Sequence, residues 1–191
     1  MIEIYSPAWF EQPLTSSERR RRMARLCCSF TRNLAFHRAG MHEDVQRNLF
    51  LCSHPNGAFW REVHANFIDI CVLDWCKLFA DKGGEHDWRR VVDDTARFQE
   101  DLYATLSVSA EEFAESTKKI RHYRNKFVAH LDAERMMHIP NLEIHRKSVD
   151  FLFGKLVQGG HGDSEWTGLP LTGEDFARGY QQCLHDAESV Y

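Results

Sequence analysis

The chain has 191 residues, 43% hydrophobic and 27% charged, with a formal net charge of −4 at pH 7. That reads as one soluble globular domain, residues 1–191, with enough length to bury a core and no global electrostatic pull towards nucleic acid. No apolar run approaches a membrane span, and the start, MIEIYSPAWF, has neither a charged leader nor a long apolar segment, so a cytoplasmic protein is expected.

Thr15-Ser16-Ser17-Glu18 has the form of a capping box and predicts a first helix running to about Arg38. Arg19, Arg20, Arg21, Arg22 and Arg25 lie in its first turns, where cations oppose the helix dipole. They read either as a solvated, acid-paired face or as a footprint for RNA phosphates. Pro55-Asn56-Gly57 is a turn. After it, FWREVHANFIDICVLDWCKLFAD predicts a long, mostly buried helix ending before Gly83-Gly84. Phe59, Val63, Phe67, Ile70, Leu73 and Leu78 recur there at spacings that keep one face apolar.

Asp87 is placed to cap a segment carrying Trp88, Val91 and Val92, which leads into a helix through Phe98, Leu102 and Leu106. Ser109-Ala-Glu-Glu112 is a second capping box and opens the next helix; Pro140 closes that region. A helix is predicted from about Leu142 to Val157, and QGGHGDSEWTGLP is a loop whose Trp166 either packs or stacks on a base. Thr172-Gly-Glu-Asp175 caps a final helix. The fold class is all-α, a bundle of five to six helices.

The six cysteines, Cys27, Cys28, Cys52, Cys71, Cys76 and Cys183, form no C-x-x-C pair and read as reduced, mostly buried thiols. The eleven histidines fall in no H-E-x-x-H and no Glu-x-x-His pattern, so neither a metal nor a cofactor is predicted.

Chemistry concentrates in RHYRNKFVAH, residues 121–130. On a helical wheel centred on Arg124, Ile120, Phe127, Val128 and Leu131 fall within about 60°. Lys118, Lys119, His122, Asn125 and Lys126 lie farther round, and His130 about 120° round. An Arg on an apolar stripe must be paired or used, because an unpaired buried guanidinium is costly to desolvate. Either it bridges an acid of the long second helix, Asp69 or Asp74, or it serves a phosphodiester cleft. In that cleft Arg stabilises charge on phosphorus and His moves a proton near neutral pH.

An Arg, a polar residue directly after it and a His four to six residues beyond the Arg form the signature of the HEPN (higher eukaryotes and prokaryotes nucleotide-binding) family. RNKFVAH resembles it, with Arg124, Asn125 and His130 in the motif positions. RNKFVAHLD, together with LDWCKLF upstream and HIP downstream, is similar to the abortive-infection AbiU branch. The resemblance spans about residues 59–157; the first helix and the C-terminal tail are additions to that core.

The resemblance implies an all-α HEPN-like fold that forms a homodimer with two motifs lining one cleft. It further implies a metal-independent endoribonuclease of a toxin–antitoxin or phage-defence type, with RNA as substrate and an antitoxin protein as partner. The ribose 2′-OH attacks the adjacent phosphate, leaving a cyclic phosphate and a free 5′-OH. Arg124 and His130 carry over as the catalytic pair, and Asn125 as the residue orienting the phosphate or a neighbour. Arg121, Lys126, Lys118 and Lys119 are cations placed to bind RNA beside them. The divergence of Arg124 and His130 on one helix independently favours a site shared between two copies. The alternative is a catalytically silent HEPN module that binds a nucleotidyltransferase or another partner.

Overall fold

The computed structural model describes residues 13–51, 55–128, 138–158 and 168–191, and among them every regular element is helical. Helix α1 spans Ser16–Gly40, α2 Glu43–Val45, α3 Gly57–Trp75, α4 Thr95–Leu106, α5 Ala110–Tyr123, α6 Glu143–Gln158 and α7 Gly173–Glu188. The all-α bundle expected from periodicity is therefore present. The seventh helix is the single turn of α2, too short to leave a periodic signal.

Local chemistry sets the helix starts. Thr15 Oγ1 accepts from the Glu18 N–H at 3.2 Å while Glu18 Oε2 accepts from the Thr15 N–H at 2.8 Å, so both arms of the capping box form. Ser109 and Glu112 repeat the arrangement at α5, and Thr172 caps α7 through the Asp175 N–H. Asp87 caps a 3-10 turn, Trp88–Arg90, and Asp94 caps α4. Trp88 then stacks on Phe98 with ring centroids 4.3 Å apart.

Helix α1 lies against α3, α6 and α7. It buries Met23, Cys27, Phe30 and Leu34, a spacing of four, three and four residues that keeps one face on the core. Trp75 of α3 is fully buried and donates its indole N–H to Ser148 Oγ of α6 at 2.9 Å. It also meets the edge of His145 at 4.6 Å and stacks on Phe79 at 5.2 Å.

The core-facing side of α3 differs from the one predicted. Ile68, Cys71, Val72 and Trp75 point inward, whereas Phe59 is 62% exposed, Ile70 is 37% exposed, and Val63, Phe67 and Leu73 are half-buried. The helix carries apolar side chains on both faces. Spacing alone identifies an apolar stripe without saying which stripe the rest of the chain covers.

Candidate functional site

The motif sits where two helices widen. Helix α3 continues as a π-helical turn, Cys76–Ala80, and α5 continues as another, Arg124–Val128. The first π-turn packs against α5 and the second against α3. Single π-turns inside helices are uncommon and are frequently found at functional sites.

Upstream of the motif, α5 is held by its buried face. Ile120 and Tyr123 are buried, and the Tyr123 hydroxyl donates to Asp69 Oδ1 at 2.9 Å. Arg124 follows at the edge of that face with 18% of its side chain exposed. Its Nη1 donates to Asp81 Oδ1 at 2.5 Å and its Nε to Asn125 Oδ1 at 3.1 Å. Burial works against the charge, but hydrogen bonds to Asp81 and the nearby Cys76 thiol outweigh it and hold the Arg124 pKa above the usual arginine range. Burial pushes the Cys76 thiol up to about 12, so it stays protonated beside the guanidinium.

The partner acid is thus neither Asp69 nor Asp74. Asp69 is taken by Tyr123, and Asp74 lies 3.5 Å from Lys77. Asp81 lies just beyond the π-turn, in a loop where no periodicity marks it. The only sequence signal for it was its place directly after LDWCKLFA.

The predicted site residues fall into separate groups. Arg124 and Asn125 touch each other, and Arg121 lies close enough to Cys76 for its charge to favour the thiolate. Lys118 and Lys119 instead line a groove of about 940 Å³ between α5 and residues 138–145, together with His122, His138, Ile139 and Ile144. Lys126 is half-buried in the second π-turn. His130 and Trp166 lie outside the described residues. The angle of about 120° between Arg124 and His130 assumed a regular α-helix. Residues 124–128 form a wider turn, so the divergence argument for a shared site loses its geometric basis.

The arginine run of α1 is also divided. Arg19 donates through Nη2 to Glu85 Oε2 at 2.9 Å and through Nε to the Glu85 carbonyl at 3.2 Å, clamping the loop that follows Asp81. Arg22 and Arg25 are exposed. Among the described residues no group of three or more His, Cys, Asp or Glu is arranged to hold a metal ion. No described helix is long and apolar enough to cross a membrane.

No family model, curated protein or solved structure matches the chain.

Proposed function

We propose that the chain is a HEPN-type, metal-independent endoribonuclease, with Arg124 and His130 as its working pair. The observation that carries this reading is the state of Arg124. Its guanidinium is fixed by Asp81 and Asn125 at a π-turn and remains partly open to solvent, instead of being sunk in a core ion pair. A preoriented cation at a partly dry surface suits charge developing on a phosphorane.

In the proposed reaction the ribose 2′-oxygen bonds to phosphorus as the P–O5′ bond breaks. A base takes the 2′ proton and an acid returns one to the 5′-oxygen; His130 serves as the proton-transfer group near neutral pH. The products are a 2′,3′-cyclic phosphate and a 5′-OH. Arg121, Lys126, Lys118 and Lys119 are assigned to the RNA backbone, Arg121 nearest the reacting phosphate and Lys118 and Lys119 farther along the α5 groove. A homodimer is part of the reading, supported by the outward apolar stripe of α3, whose Phe59 and Ile70 lack cover among the described residues. A cytoplasmic defence role and control by an antitoxin protein come from the family resemblance.

The test is incubation of the purified protein with total RNA, followed by end-group analysis. Cleavage that survives chelator, yields cyclic phosphate ends and stops on 2′-deoxy substitution at the cut site supports the reading. Activity lost with EDTA and restored by Mg²⁺ overturns it.

The Arg124–Asp81 ion pair itself favours a second reading, a silent HEPN module that binds a nucleotidyltransferase or other partner. In that case Arg124 braces the fold, and Arg124→Ala lowers the melting temperature markedly in a protein that never cleaves RNA.

A further inference from the structure

Asp81 is held in an unusual way for an ordinary surface acid. Its backbone is tied at both ends: the N–H donates to the Cys76 carbonyl at 2.8 Å, and the carbonyl accepts from the Gly84 N–H at 2.9 Å. The turn behind it is wired shut. Gly83 adopts φ +80° and donates its N–H to Asp87 Oδ2 at 2.9 Å, while Arg90 donates to the carbonyls of Gly83 at 2.6 Å and Gly84 at 2.8 Å. A Cβ on Gly84 would stand 2.9 Å from the Asp81 carbonyl oxygen, so a glycine is needed for the chain to close this tightly.

The Asp81 side chain is 41% exposed even though its backbone is fixed. An ion pair with a partner this open contributes little to stability, because water already solvates the carboxylate well. The tightly made turn therefore delivers a carboxylate to Arg124 without a matching gain in fold stability. Nη1 and Nε of the guanidinium are both engaged, by Asp81 and Asn125, so an arriving anion cannot use both until a protein oxygen gives way.

We propose that Asp81 is an internal counter-ion of the site: it holds Arg124 in position, occupies it in place of a phosphodiester, and sets how tightly the site takes an anion. The identity of that anion as an RNA phosphate rests on the endoribonuclease reading. On binding, the guanidinium exchanges carboxylate for phosphate oxygens and the Asp81 side chain turns to solvent. No bond is made or broken, and the site is charge-balanced when empty.

The experiment is a double-mutant cycle on binding, separate from cleavage. A fluorescent 2′-O-methyl RNA oligonucleotide, which has no attacking hydroxyl, is titrated at fixed salt. The proteins are the wild type, Asp81→Asn, Asp81→Glu, Arg124→Ala and the Asp81→Asn/Arg124→Ala double variant. Asp81→Asn preserves shape and is expected to bind the oligonucleotide about 3–10-fold more tightly, in the range of a partly screened charge pair. Asp81→Glu restores wild-type affinity, and in the Arg124→Ala background the gain disappears. Thermal melts of each variant confirm folding.

Unchanged or weaker binding by Asp81→Asn overturns the proposal. So does a gain of equal size without Arg124, or no binding by any variant. Cleavage of an all-ribose oligonucleotide is scored in parallel. Coupling without cleavage by the wild type leaves the counter-ion and removes the nuclease; cleavage without coupling does the reverse.

Discussion

The knot at Trp75 and the Arg124–Asp81 pair both tie α3 to a later part of the chain through polar groups, and they are built in opposite ways. At the knot every polar group is sealed. His145 is 1% exposed, its Nδ1 lies 3.2 Å from the Asn141 carbonyl and its Nε2 lies 3.2 Å from Ser116 Oγ. Burial pulls its pKa down to about 4, so the ring is neutral at pH 7. Nδ1 must then be the donor and Nε2 the acceptor. At the motif the groups are charged, half-open and held by a tight turn. Where the fold is braced it uses neutral hydrogen bonds, which cost little to bury once satisfied. Where charge is kept it is kept at the surface, within reach of solvent and of an anion.

The contrast separates stability from activity, and it breaks if one substitution does the work assigned to the other region. The largest stability loss is expected for Trp75→Ala, about 3–5 kcal/mol by urea denaturation, from a large cavity and an orphaned Ser148. A loss under about 1 kcal/mol would mean that the core is centred elsewhere.

The next effect is pH-dependent. The folded-state pKa of His145 is depressed, to about 4 against an ordinary value near 6.5. Its contribution is complete above about pH 6.5 and is lost as pH falls from there towards 4, because the unfolded chain takes the proton first. Stability of the wild type should fall more steeply between pH 7 and 4.5 than that of His145→Asn, the difference being on the order of 2–3 kcal/mol. Parallel pH profiles would remove His145 from the brace.

Arg124→Ala should behave in the opposite way. Its cost in stability is expected within about 1 kcal/mol, since Asp81 is left at the surface and solvated. RNA cleavage should drop by about 100-fold or more, as for loss of a preoriented charge stabiliser. His130→Ala should remove cleavage similarly, by about 10²–10⁴-fold. A marked melting drop in Arg124→Ala with cleavage unchanged would place this pair with the knot instead.

The smallest effect on the monomer is expected on the outer face of α3. Phe59→Ser should change folding stability by no more than about 0.5 kcal/mol, because the ring is already exposed. If that stripe joins two copies, sedimentation should nevertheless shift from dimer to monomer. An unchanged sedimentation profile would move the interface off α3.

The helix starts were legible because capping is local: Thr15, Ser109 and Thr172 each act on an N–H three residues on. Arg124 was also legible as a misfit on an apolar stripe, since the wheel needs only the regular helix before it. Asp81 was not. It is 43 positions away in sequence, beyond the end of a helix, and a loop acid carries no periodic mark. The π-turns were hidden for a related reason, because their residues have ordinary helical propensity and only tertiary packing selects the wider turn. The choice of face on α3 likewise depended on which helices arrive to cover it, and no spacing within α3 encodes that.

The two π-turns also make the site depend on residue count. A π-turn accommodates one residue more than the α-helical turn it replaces, so deleting a single residue from Cys76–Ala80 lets the chain relax to a regular helix at no cost in hydrogen bonds. The same deletion swings everything downstream by about 100° and draws it back by about 1.5 Å. Asp81 would then face away from Arg124 in a protein whose helices all remained intact. A one-residue deletion there is a subtler lesion than any substitution, disarming the counter-ion while leaving composition, charge and helix content almost unchanged.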